Sequence, residues 1–96
     1  MTEAQLTKKV KKRCEAVQDL YWYKVSDRFL SGVPDIYMIY QGQSAHIELK
    51  ATGKKPRDLQ AYTMGKIRRA GGLAVWFNDY EKFDHWFSRW LTGCPD

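Results

Sequence analysis

Cysteine is scarce in this sequence. The two that occur in its 96 residues, Cys14 and Cys94, lie far apart and match no metal-ligand spacing. They read as reduced thiols, Cys14 in a core and Cys94 in a frayed tail. No apolar run approaches the ~20 residues that a bilayer span requires, which excludes a transmembrane helix. The N-terminus has no signal-type apolar stretch, so a cytoplasmic protein is expected. Repeats and low-complexity segments are absent too, and so is a basic segment beyond Asn78.

What the chain does contain is a balance suited to one globular domain spanning 1–96. Hydrophobic residues make up 44% and charged residues 28%, a globular rather than a disordered composition. Aromatics reach 15%. A chain this short has little interior, so part of that surplus is available to cover a partner. Sixteen Lys and Arg oppose eleven Asp and Glu, and a basic surface favours a polyanion. The charge is clustered. Lys8, Lys9, Lys11, Lys12 and Arg13 crowd one segment, and Lys54, Lys55, Arg57, Lys66, Arg68 and Arg69 form a second. Two phosphate-binding patches account for this better than general solubility does.

Thr2 followed by Gln5 is a capping box, so a helix begins near Glu3, with Leu6, Val10, Cys14 and Val17 on its inward stripe. Tyr21 to Val25 is an aromatic, β-branched strand, and Ser26 to Pro34 a loop. Asp35–Tyr40 and Ser44–Lys50 are β-rich runs joined by Gln41, Gly42 and Gln43, which predicts a hairpin. After the basic loop Gly53–Lys55, Pro56 suits the first turn of a second helix that runs to about Ala70 and stops at Gly71-Gly72. Leu73–Phe77 is a buried strand. Asn78 or Asp79 caps a third helix, where Phe83, Trp86, Phe87, Trp90 and Leu91 make one apolar stripe. The order is α-β-β-β-α-β-α. The helical crossover makes the last strand parallel to Ser44–Lys50. The expected class is α/β, a mixed sheet flanked by helices.

The chemistry lies in Pro34-Asp35, Glu48-Leu49-Lys50 and Gln60. Strand alternation puts Ala45, Ile47 and Leu49 on the core face and His46, Glu48 and Lys50 on the other. Asp35 opens the neighbouring strand, so an in-register hairpin brings it near Glu48. Two adjacent carboxylates repel unless a cation lies between them, and a hard divalent ion, Mg²⁺ or Mn²⁺, suits oxygen ligands. Lys50 would then orient water or stabilise charge on a phosphate. An exposed Glu48–Lys50 pair on a solvated strand is the blander alternative. The ordered set of Pro-Asp, hairpin and basic loop in a basic chain weighs against it.

This set resembles the PD-(D/E)xK nuclease superfamily and, more closely, the small standalone phage and bacterial form of the VRR-NUC (virus-type replication-repair nuclease) family. The matching residues are Glu3, Ser31-Gly32-Val33-Pro34-Asp35, Ile47-Glu48-Leu49-Lys50, Gly53-Lys54-Lys55 with Gln60, and Gly71-Gly72, together spanning about Glu3 to Phe77. The resemblance implies a restriction-endonuclease-like core and a metal-dependent DNA endonuclease. Asp35, Glu48 and the Leu49 carbonyl would hold the ion, Lys50 would be the catalytic lysine, and Gln60 would position the water or the lysine. Glu3 or Glu15 would be the helix carboxylate, with Glu3 preferred because it lies on the stripe of Leu6 and Val10. The implied substrate is branched DNA such as a four-way (Holliday) junction, cut by a homodimer.

Lesser signals are weighed against plain alternatives. Lys54, Lys55 and Arg57 favour phosphate contact over mere solvation. The lysines of the first helix, with Lys66, Arg68 and Arg69, suit either. Glu15, four residues after Lys11, suits an exposed ion pair. His46 is a half-exposed strand residue, and His85 sits on the polar side of its helix. The Phe83–Trp90 stripe suits a core first and a dimer interface second. Two other readings stand: a nuclease for flaps or nicked or plain duplex, and a non-catalytic nucleic-acid binder. A membrane-surface role is disfavoured because the last helix lacks a strongly basic face opposite its apolar one.

Overall fold

The computed structural model describes residues 1–25 and 32–93. Ser31, Cys94 and most of the expected 26–34 loop lie outside the described residues. The element order is α1 (Glu3–Glu15), β1 (Tyr21–Lys24), β2 (Ile36–Tyr40), β3 (Gln43–Leu49), α2 (Asp58–Arg69), β4 (Ala74–Phe77) and α3 (Tyr80–Leu91), in the expected α-β-β-β-α-β-α sequence. The strands form one mixed sheet in the order β1-β2-β3-β4, antiparallel except for the parallel β3–β4 pair.

Local chemistry sets most boundaries. The Thr2 hydroxyl accepts from the Gln5 backbone N–H, and the Gln5 side chain accepts from the Thr2 N–H, closing the capping box. Tyr40 pairs with Gln43, which leaves Gln41 and Gly42 as a two-residue hairpin turn. Their φ values of 49° and 83° match the twist-compatible turn that needs two left-handed residues. Asp79 caps α3 by accepting from the Lys82 N–H at 3.0 Å. The second helix starts later than Pro56 predicts. Arg57 is its extended N-cap, and Gln60 Oε1 accepts the Arg57 N–H at 2.8 Å. That side-chain bond satisfies an end donor that a proline start would lack.

One face of the sheet carries the core. Leu6, Val10 and Cys14 from α1 meet Ile36, Met38, Ala45, Ile47 and Leu49 from the sheet and Phe83, Trp86, Phe87 and Trp90 from α3. The α3 rings stack in sequence, with Trp86 and Trp90 5.7 Å apart. The stripe is therefore buried by its own domain, and the second reading of it as a dimer interface is withdrawn. Burial pushes the Cys14 thiol up to about 12, which keeps it protonated and unreactive. Helix α2 lies on the opposite face, where Met64 is buried and Arg68 donates twice to the Ala74 carbonyl. Among the described residues no helix is long and apolar enough to cross a membrane.

Candidate active site

The hairpin register positions the two acids. Ile36 pairs with Ile47, so one step further along the antiparallel ladder Asp35 faces Glu48. Asp35 lies one residue before β2, and its Oδ2 accepts the Leu49 N–H at 2.9 Å. Its own carbonyl accepts the Val25 N–H. Gly32 seats the loop that leads to it. Its φ is +80°, and a Cβ there would lie 2.9 Å from Leu59 Cγ and 3.0 Å from Thr63 Oγ1 of α2. A side chain there would crowd α2, and the positive φ would strain it.

Glu48 is the unusual residue. Strand alternation aims it away from the apolar core, yet it is only 1% exposed. Neither carboxylate oxygen has a hydrogen-bond partner among the described residues. Buried carboxylates without donors are costly. Burial pushes the Glu48 carboxyl up to about 8; Asp35 raises it as well, while Lys50 opposes them. A buried acid with a strongly shifted pKa beside a second acid marks a candidate functional site.

Lys50 completes the group at the end of β3. Its Nζ donates to Gln60 Oε1 at 3.3 Å and lies 3.9 Å from Glu3 Oε1. Gln60 thus joins the N-terminus of α2 to the lysine, through the same oxygen that takes the Arg57 N–H. Glu3 reaches Lys50, but not from the inward stripe. It is exposed while Leu6, Val10 and Cys14 are buried, because the first turn of α1 overhangs the end of the sheet. Glu15 is exposed at the far end of α1. Among the described residues it makes no ion pair with Lys11, contrary to expectation. Leu49 is buried in the core, and its N–H serves Asp35.

Among the described residues no group of three or more His, Cys, Asp or Glu could hold a metal. A cation here would have Asp35 and Glu48 as its acidic ligands and would take further oxygens from backbone or water. The two orphaned oxygens of Glu48 fit that need.

The remaining candidates are placed as follows. Lys54, Lys55 and Arg57 are exposed between β3 and α2, and the Lys54 carbonyl accepts from Asn78 Nδ2 at 2.7 Å. Lys66 lies over the Tyr62 ring, and Arg68 is engaged with Ala74. His46 is half-buried against Tyr37, 4.9 Å away, and His85 is exposed. Two features escape the sequence reading. Lys24 at the end of β1 joins a lysine-lined cleft, and tyrosines 21, 23 and 37 form a ladder on the face of Glu48, with neighbouring ring centroids 5.9 and 5.5 Å apart. Alternation marks the tyrosines as one-sided; nothing local pairs Lys24 with α1.

The fold is that of VRR_NUC domains. A solved "VRR_NUC domain" structure superposes with a TM-score of 0.79 at 24% identity, covering 92% of this chain and 97% of that one. A "VRR_NUC domain protein" superposes with a TM-score of 0.80 at 15% identity, covering 96% and 89%. No family model matches the sequence, and no curated protein does.

Proposed function

We propose that this chain is a metal-dependent DNA endonuclease that hydrolyses phosphodiester bonds. The observation that carries the reading is Glu48: a buried carboxylate without a donor among the described residues, facing Asp35, with Lys50 two residues on, just past the end of β3. A bound Mg²⁺ or Mn²⁺ would supply water activation and neutralise phosphate charge. The chain's own groups do the rest. Asp35 is oriented by the Leu49 N–H at Oδ2, and a ligand would be taken by its other oxygen. Lys50, held by Gln60 and close to Glu3, places a positive charge where a phosphate would develop negative charge. Lys54, Lys55 and Arg57 offer backbone contacts beside it. The VRR_NUC-type fold, whose solved examples carry a nuclease name, supports the same reading.

The preferred substrate on this reading is a four-way junction, cut by a homodimer whose twofold axis pairs two sites. That choice rests on the family resemblance. Such a dimer needs a surface other than the α3 stripe. Flaps, nicked duplex and plain duplex are the rival substrates.

The test is a panel of labelled junction, flap, nicked and duplex DNA, each with Mg²⁺, Mn²⁺ or EDTA, with light scattering on the same samples. Ion-dependent cleavage is expected. Asp35→Ala or Lys50→Ala should lower it by on the order of 10³-fold and leave binding largely intact. Wild-type cleavage by Asp35→Ala would refute the site. Tight, salt-sensitive binding without cleavage under any ion would favour a non-catalytic binding module.

A further inference from the structure

The basic residues of α1 divide into two sets. Lys9 Nζ lies 4.7 Å from the centre of the Tyr80 ring. Arg13 binds Asp84 at 2.9 Å and covers Phe87. Both are engaged with α3. Lys8, Lys11 and Lys12 turn elsewhere, into a cleft of about 710 Å³ that Lys24 of β1 also lines. None of these four lysines makes an ion pair among the described residues. Two acids also line the cleft, Glu15 at the far end of α1 and Glu3 at the near end, where it approaches Lys50. The cleft therefore adjoins the candidate active site.

The sheet order gives this cleft a meaning. Lys24 ends β1, one edge strand, while Lys54 is tied to Asn78 just past β4, the other edge strand. Asp35, Glu48 and Lys50 lie between them, at the start of β2 and the end of β3. Antiparallel pairing of β1 with β2 and of β2 with β3, and parallel pairing of β3 with β4, bring all these positions to the same end of the sheet. Lysines thus flank the acids on both sides.

We propose that the Lys8–Lys11–Lys12–Lys24 cleft binds the phosphate backbone of DNA on the β1 side of the site. The strand then crosses the end of the sheet from edge to edge and is cut internally. This rests on the nuclease reading above. Lysines are point charges on flexible stems, suited to phosphate oxygens rather than to base readout. A polymer with a phosphate at every step serves separated lysines better than a single small anion does. The cleft meets the site at Glu3, which lines it and approaches Lys50, and this adjacency selects the substrate itself as its occupant.

The experiment measures binding of labelled duplex and four-way junction in EDTA, as a function of salt. Lys8→Ala/Lys11→Ala/Lys24→Ala is compared with Lys54→Ala/Lys55→Ala and with Lys9→Ala. Thermal melts check that each variant is folded. Each lost phosphate contact should lower the salt slope by roughly 0.9 on duplex. The triple variant is expected to lose roughly 2–3 from the slope and to bind roughly tenfold or more weakly, while Lys9→Ala binds as wild type. A triple variant with the wild-type slope, beside a loop variant that loses it, overturns the cleft and leaves the nuclease reading standing. Wild-type protein that fails to bind any DNA overturns both.

Discussion

The two faces of this sheet are built to opposite rules. On the α1/α3 side the buried groups among the described residues are apolar, and Phe83, Phe87, Ile36, Met38, Ile47 and Leu49 are fully buried. On the α2 side a carboxylate is buried without a donor among the described residues, while Tyr21 and Tyr23 stand 62% and 45% exposed. The first face supplies stability and the second consumes it. Burying one large apolar side chain contributes about 1.5–3 kcal/mol, and leaving one buried polar group unpaired costs about 1–3 kcal/mol. A small domain can hold an unfavourable acid only because the other face is so well packed.

The largest effect should come from the packed face. Phe87 is wholly buried, stacked on Phe83 at 5.2 Å and covered by Arg13. Phe87→Ala is expected to destabilise the fold by about 3–5 kcal/mol, read from denaturant midpoints. A cost below about 1 kcal/mol would mean that α3 is not the main packing element. On the other face the sign should reverse. Glu48→Leu removes two unsatisfied oxygens and is expected to stabilise the metal-free protein by about 1–3 kcal/mol, which is roughly 4–8 °C per kcal/mol in a domain this size. Cleavage should vanish in the same variant. Destabilisation by Glu48→Leu in EDTA would show that Glu48 is a structural member and not a strained ligand.

The same residue makes stability depend on pH. Its carboxyl is raised from the ordinary 4.5 to about 8, first by burial and then by Asp35. Between those values the folded state holds a proton that the unfolded chain has released. Unfolding free energy therefore falls as pH rises through this window, and the contribution from Glu48 is level above about 8. Thermal melts of the metal-free protein across the window should show this loss, and Glu48→Leu should flatten it. Saturating Mn²⁺ should flatten it too, because ligands must be deprotonated to bind and the ion favours the charged form. A wild-type profile no steeper than that of Glu48→Leu would assign the titration to another group.

How much of this the sequence reveals depends on range. The Thr2–Gln5 box and the Gln41-Gly42 turn are local, and both are legible. The facing of Asp35 and Glu48 is legible too, because a two-residue turn sets the ladder register and alternation does the rest. Four features are not legible. The burial of Glu48 comes from tertiary packing over its face of the sheet, whereas alternation alone places it beside Lys50 on a solvated strand. The exposure of Glu3 follows from how far α1 overhangs the sheet, which helical spacing cannot show. The α3 stripe has the same pattern whether it packs inside or pairs outside, and only the space beneath α3 decides. Lys24 meets the α1 lysines through a tertiary approach that no motif records.

The smallest effect should fall at Gln60, where stability and site geometry on the α2 face meet at a single hydrogen-bond acceptor. Its Oε1 takes the Arg57 N–H at 2.8 Å and the Lys50 ammonium at 3.3 Å. Gln60→Ala frees a helix-end donor and a lysine together. Loss of the first should cost about 0.5–1.5 kcal/mol, because the freed N–H at the helix end is near water. Loss of the second should leave Lys50 charged and present but less fixed, still near Glu3. Cleavage is then expected to drop by about tenfold, well short of the loss for Lys50→Ala. Binding in EDTA should be unchanged, so the deficit should appear in kcat and not in KM. If Gln60→Ala is as inactive as Lys50→Ala at equal stability, the amide acts on the substrate or its water directly. If it cleaves at the wild-type rate, Lys50 does not depend on α2 for its position.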